Sequence, residues 1–332
     1  MASGKRKIVA AVDDSEVSAY AFTWGLQNLF RPDDHVVAIT VAPFVGADVA
    51  TADMVGEYTV PMTLSPAESE AAQKQVTESS KALISKYLKQ CANANISCEG
   101  EVVKGEPGSW IVDEANRVRA DMVLVGSHAY GLIKRTLLGS ISDFVLHNAS
   151  CTVVIVRQPP EALKEHDPLS SAGLPRKIVI AVDDSKEAVQ AFSWALENFC
   201  RPSDKVVLYH VHNPVTVPVT ALGTGEFGVE DVYIAPGNDV EEEVKASNDS
   251  QLLVERFMKE VPKEISCEGM VVTGLTEAKV CEGLVTLKAD AVVIGTQDRS
   301  VLSRTFLGSV SDYLAHHSPC PLVVVKSTSK SE

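Results

Sequence analysis

The chain has 332 residues, 45% of them hydrophobic, which is enough to bury the cores of two ordinary domains. No run approaches the ~18 apolar residues of a membrane-spanning helix, and the basic MASGKRK start is not followed by the roughly 7–15-residue apolar core of a signal peptide, so neither membrane insertion nor secretion is expected. A formal net charge of −14 argues against general nucleic-acid binding, and the 7 cysteines, none in C-x-x-C spacing, read as reduced thiols of a cytoplasmic protein.

The chain repeats itself. Arg6–Ser15 (RKIVAAVDDS) returns as Arg176–Ser185 (RKIVIAVDDS), shifted by 170 positions, and Arg31-Pro32 returns as Arg201-Pro202. After a slip of one, Gly139-Ser140 returns as Gly308-Ser309. A period this long indicates duplicated domains, not a solenoid. Residues 1–157 form the first expected domain and 176–328 the second. Between them, 158–175 (QPPEALKEHDPLSSAGLP) lacks periodicity and reads as a linker. Residues 1–157 carry 14 basic and 18 acidic side chains, whereas 176–332 carry 15 and 23, so the second half is the poorer host for a polyanion.

In the first half, Ile8–Val12, Val36–Val41, Ser97–Val103, Met122–Val125 and Thr152–Val156 are β-branched and nearly continuous, as parallel strands buried on both faces require. Helix signals alternate with them. Ser15 caps an expected helix Glu16–Phe30, Ser65-Pro66-Ala67-Glu68 is a capping box, Pro107 opens a helix to Arg119, and Ser140 begins the last. The second half repeats the strands at Ile178–Val182, Val206–Val211, Ile265–Val272, Ala291–Ile294 and Pro321–Val325. The alternation predicts an α/β fold of two tandem, doubly wound, Rossmann-like five-stranded parallel sheets. Such sheets bind ligands at the carboxyl ends of their strands, which places Asp13 near Gly126. Long segments follow both second strands, Pro43–Leu64 and Asn213–Asn238, and read either as lids or as surface elaboration.

The stretch Val125–Asp143 (VGSHAYGLIKRTLLGSISD) runs from a strand through a glycine-bearing loop into a helix start. Free N–H groups of a first helical turn and close backbone approach at glycine make such a stretch an anion site, with phosphate the expected occupant. It returns as Ile294–Asp312 (IGTQDRSVLSRTFLGSVSD).

This loop resembles the G-x2-G-x9-G-[ST] signature of the universal stress protein family, and with the VDDS strand end the resemblance covers almost the whole chain, once per half, in the style of plant members. It implies an ATP or AMP site. Asp13 would face the adenine or ribose and Val41 would bond the adenine edge. Gly126, His128 and Ala129 would line the ribose and phosphates, with Gly139, Ser140 and Ser142 closing around the phosphates and Arg135 countering their charge. The weaker equivalents in the second half are Asp183, Val211, Gly295, Gly308, Ser309 and Ser311. Two departures bear on affinity. The signature's second glycine is Ala129 here, and at the same place in the second half stands Asp298, whose carboxylate opposes phosphate. The resemblance also implies pairing of domains through their last strands. Val153–Val156 and Leu322–Val325 suit an intrachain pseudo-dimer, with a homodimer of the whole chain as a further option.

Other constellations carry less. Asp13-Asp14 could hold Mg²⁺ beside a nucleotide, although turn and capping roles explain adjacent carboxylates more simply. His210 and His212 share a strand face without further ligands to complete a zinc site. No nucleophile elbow, Walker lysine or H-E-x-x-H appears, so at most a weak ATPase or phosphotransferase activity is expected. The readings in play are a nucleotide-binding stress-response sensor or regulatory module, a nucleotide-free adaptor, and a slow ATPase.

Overall fold

The structure, a computed structural model, describes residues 5–44, 54–55, 58–59, 65–127, 138–158, 175–213, 239–296 and 307–326. The linker body and most of the two long segments read as lids or surface elaboration lie outside the described residues, as do His128, Ala129, Arg135 and Asp298.

The first half runs β1 (Lys7–Ala11), α1 (Glu16–Asn28), β2 (His35–Ala42), a small antiparallel pair β3 (Met54–Val55) and β4 (Tyr58–Thr59), α2 (Pro66–Asn93), β5 (Ser97–Lys104), α3 (Pro107–Val118), β6 (Met122–Gly126), α4 (Ser140–Asn148) and β7 (Thr152–Val156). The second runs β8 (Lys177–Ala181), α5 (Lys186–Asn198), β9 (Lys205–His212), α6 (Asp239–Glu260), β10 (Ser266–Thr273), α7 (Thr276–Leu287), β11 (Ala291–Gly295), α8 (Ser309–His317) and β12 (Leu322–Val325).

Local chemistry sets the boundaries. Ser15 accepts the Ser18 N–H at the start of α1, and α2 opens with the complete Ser65/Glu68 capping box. α1 stops at Asn28, two residues short of the expected Phe30, because Leu29 and Phe30 both turn their N–H groups back to the Gly25 carbonyl. α3 and α7 end where Arg119 and Lys288 adopt left-handed backbone at φ 54° and 53°.

The two five-stranded sheets fuse into a single 10-stranded sheet in the order β10-β9-β8-β11-β12-β7-β6-β1-β2-β5. All neighbours are parallel except β7 and β12, which meet antiparallel with Ile155 opposite Leu322 and Val154 opposite Val323. Val153–Val156 and Leu322–Val325 are buried throughout, so the seam joins two apolar edges that would otherwise be exposed. Burying each Val or Ile there contributes roughly 1.5–3 kcal/mol.

Polar contacts reinforce the seam symmetrically. Arg157 donates to the carbonyls of Ala315, His316 and Ser318 at the end of α8, and its repeat counterpart Lys326 donates to Leu146 and Ala149 at the end of α4. Cations at helix C-termini complement the helix dipole. Apolar clusters fill both faces of the sheet. Among the described residues no helix is long and apolar enough to cross a membrane. All seven cysteines are free thiols.

Candidate functional site

In each half the strand order reverses beside the first strand. β1 continues to β2 on one side, and the chain crosses from β5 through α3 to β6 on the other. That switch point leaves a crevice at the carboxyl ends of the strands. In the first half the crevice is a cavity of about 150 Å³. Its walls are the ends of β1 (Ala11–Asp13), β2 (Ile39–Val41) and β6 (Val125, Gly126) together with the starts of α1, α3 and α4. Asp13, Val41, Gly126, Gly139, Ser140 and Ser142, expected at one site, all line it.

The three helix starts differ. α1 is capped by Ser15. α3 is capped by Glu106, whose carboxylate accepts the Ser109 N–H at 2.9 Å, and that bond holds the carboxyl below its ordinary value. α4 begins at Gly139, which has no side chain to offer and no cap hydrogen bond. The Asp143 N–H is the first to reach back along the helix, to the Gly139 carbonyl. Ser140, Ile141 and Ser142 therefore present the N–H groups that a helix cannot satisfy internally. An anion in this cavity meets a helix start already capped by a side chain at α3 but open donors at α4, and only the second is free to bind it.

Side chains refine the expected roles. Ser142 is 1% exposed and donates its hydroxyl proton to the Gly139 carbonyl at 2.9 Å, so its backbone N–H is the donor it has left for a ligand. Ser140 is exposed. Gly139 sits at φ −69° and ψ 150°, a backbone that any residue can adopt. Gly126 has a packing reason to be glycine, since a β-carbon there would lie 3.3 Å from the Val17 carbonyl oxygen. The same holds more strongly for Gly295, where the Glu187 carbonyl oxygen would be 2.4 Å away. These first glycines let β6 and β11 end against α1 and α5, a role their loop context did not reveal.

Asp13 is exposed at the mouth, its Oδ1 accepting the Ser15 N–H at 2.9 Å. Asp14 is also exposed and Ser15, not Asp14, is the helix cap. Sequence reasoning missed Thr40, Pro107, Ile111 and Ser18 among the lining residues, and Tyr87 behind Asp13. The proline opening α3 was the available signal for Pro107 and Ile111. Ser18 lies only five positions beyond Asp13, while Thr40 and Tyr87 become its neighbours through the fold.

The second half keeps the frame. Asp183 accepts both the N–H and the hydroxyl of Ser185, Gly308 starts α8 without a side-chain cap, Ser309 is its first residue, and Ser311 donates to the Gly308 carbonyl at 2.9 Å. Val211 is buried at the end of β9. His210 replaces Thr40, and its Nδ1 lies 2.8 Å from the Val182 carbonyl. His212 faces the Ser250 hydroxyl. Among the described residues no group of three His, Cys, Asp or Glu side chains is placed to hold a metal.

Comparison with known proteins follows the same division. The universal stress protein family matches residues 5–157 and again 175–326. A universal stress protein of Mycobacterium bovis (Mb2028c) is 24% identical over 97% of this chain and 97% of its own. Another from Arabidopsis thaliana, PHOS34, is 29% identical over 54% of this chain and 72% of its own. The solved structure of a universal stress protein from Archaeoglobus fulgidus covers 98% of this chain and 97% of its own at a TM-score of 0.62 and 16% identity, a likeness of fold. With two matched domains spanning most of its length, the chain belongs to the universal stress protein family.

Proposed function

We propose that the protein is a cytoplasmic stress-response sensor or regulatory module that binds an adenine nucleotide, ATP or AMP, in the cavity of its first half. The reading rests above all on the open start of α4: of the three helix starts at the cavity, it is the one without a side-chain cap. The phosphates lie against the N–H groups of Ser140, Ile141 and Ser142, with Arg135 at hand for their charge. The nucleoside end lies between Asp13 and Val41, with Gly126, His128 and Ala129 along its side. Asp183, Val211, Gly295, Gly308, Ser309 and Ser311 form the weaker equivalent. Mg²⁺, where present, travels with the phosphates. The working unit is the two-domain chain of residues 1–157 and 176–328.

The test is identification of nucleotide that co-purifies with the protein, followed by calorimetric titration of the emptied protein with ATP and AMP. Saturable binding supports the reading, and absence of binding to either nucleotide removes it. One observation favours a nucleotide-free adaptor instead: Gly295 is accounted for by helix packing alone, and packing also favours glycine at Gly126. The same titration separates the two readings.

A further inference from the structure

Two oxygen atoms distinguish the end of β1 from the end of β8. In the first half the Asp13 N–H donates to Ser18 Oγ at 2.9 Å, and the Tyr87 hydroxyl donates to the Asp13 carbonyl at 3.1 Å. Ser18 is 5% exposed and Tyr87 fully buried, so these bonds form out of water, where an unmet polar group is costly. Both backbone groups of Asp13 are thus held from behind by α1 and α2, while its Oδ1 is tied to the Ser15 N–H. The residue at the cavity mouth has little freedom left.

The repeat removes both hydroxyls. Ala188 stands at the position of Ser18 and Phe257 at that of Tyr87, each 170 residues on. The aromatic packing survives the change. Tyr87 lies 4.7 Å from Phe22, and Phe257 lies 5.0 Å from the equivalent Phe192. The fold therefore needs the ring and not its oxygen, which leaves the Tyr87 hydroxyl to be explained by what it holds.

We propose that Ser18 and Tyr87 are positioning residues that fix Asp13 for the nucleoside end of the ligand, and that their replacement by Ala188 and Phe257 makes the second half the weaker site. The proposal rests on the nucleotide reading above. It adds a source of asymmetry that lies around the end of β1 instead of in the glycine-bearing loop. Asp183 retains its carboxylate and its bonds from Ser185, but Ala188 and Phe257 supply no partner for its backbone.

The test titrates the full chain and its Tyr87→Phe and Ser18→Ala variants with ATP and with adenosine, and records each melting temperature. Loss of one neutral hydrogen bond corresponds to roughly five- to tenfold in affinity. Both ligands are expected to weaken by that same factor, because Asp13 serves the portion they share. The melting temperature of Tyr87→Phe is expected to stay within about 2 °C of the parent. Should Ser18→Ala lose stability through the orphaned Asp13 N–H, Tyr87→Phe, which deletes one oxygen and keeps the ring, still decides the matter. A loss confined to ATP, no loss for either ligand, or weakened binding by Tyr87→Phe that tracks a lowered melting temperature overturns the proposal. A parent protein that binds neither ligand overturns the nucleotide reading first, and that outcome is distinct because no variant is involved.

Discussion

Arg6 of the first repeat donates from Nη1 to the backbone carbonyl of Asn198 in the second, 2.6 Å away. Arg176, the counterpart of Arg6, returns the contact to Asn28, the counterpart of Asn198, at 2.9 Å. Arg31 and Arg201 exchange a second pair of bonds with Glu197 and Gln27. Each patch thus meets its own copy, the hallmark of a two-fold interface, here made within one chain. Arg6 and Arg176 also fork onto Asp34 and Asp204, so each arginine spans a buried carboxylate and the end of the other half's helix.

This arrangement predicts an asymmetric cost of mutation. Arg176→Ala leaves Asp204, 1% exposed, as a buried unpaired carboxylate and is expected to cost about 3–5 kcal/mol by urea denaturation. Arg176→Met combined with Asp204→Leu removes both charges and is expected to cost less than the single change. A single variant within about 1 kcal/mol of the parent would show that the pair does not anchor the seam.

A pH dependence follows from Lys326. Burial pushes its ammonium down to about 8 from an ordinary 10.5, while its Nζ donates to Leu146 and Ala149. Between those values the unfolded chain holds a proton that the folded chain has released, so this group's contribution to stability rises with pH from about 8 to 10.5. Buried thiols act in the opposite sense. Burial raises Cys151 to about 11 and Cys200 and Cys320 to about 12, so the folded state keeps protons that the unfolded state loses. The comparison is therefore between the parent and Lys326→Met. Raising the pH from 7.5 to 10 is expected to favour the parent relative to the variant by about 1–3 kcal/mol in urea midpoints. Parallel pH profiles would mean that Lys326 is not desolvated.

How much of this was legible depended on the range of the interactions. The strands were readable because buried parallel strands need continuous β-branched runs, and Thr152–Val156 is one that the seam buries on all sides. The helix starts were readable because Ser15, Ser65 and Pro107 act within a few residues of themselves, although the Glu106 cap of α3 was not read. Gly126 was read as lining the ribose and phosphates, and its packing against Val17 was not legible because Val17 lies in another element. Tyr87 meets Asp13 across 74 positions of sequence, a pairing no local pattern encodes. Ser142 was readable as a residue at the mouth of the crevice, but the direction of its hydroxyl was not.

Gly139→Val tests the role of the open helix start. The backbone at φ −69° and ψ 150° accommodates a β-branched residue, so the expected loss of stability is under about 1 kcal/mol. A valine side chain at the first position of the anion site blocks approach to the N–H groups of Ser140, Ile141 and Ser142, and ATP binding by the first half is expected to vanish. Calorimetric titration of a folded Gly139→Val protein that still binds ATP with parental affinity would remove α4 from the phosphate site.

The last prediction concerns stoichiometry. The second half is the more acidic, carries Asp298 where the first has Ala129, and places His210 where the first has Thr40, with the imidazole against the Val182 carbonyl at the strand end. About one nucleotide per chain is therefore expected, bound in the first half and tightened several-fold by Ala129→Gly, because a methyl group at a glycine position costs on the order of 1 kcal/mol. These two obstacles, added to the loss of the Ser18 and Tyr87 hydroxyls, act on different parts of the ligand. A carboxylate repels each phosphate, so Asp298→Gly is expected to improve ATP more than adenosine. An imidazole at the end of β9 bears on the nucleoside end, so His210→Thr is expected to improve both alike. Titrations in the Gly139→Val background, where the first site is silenced, isolate these gains. Equal gains for ATP and adenosine from Asp298→Gly would mean that its carboxylate points away from the phosphates, and two equal sites in the parent would mean that neither residue obstructs.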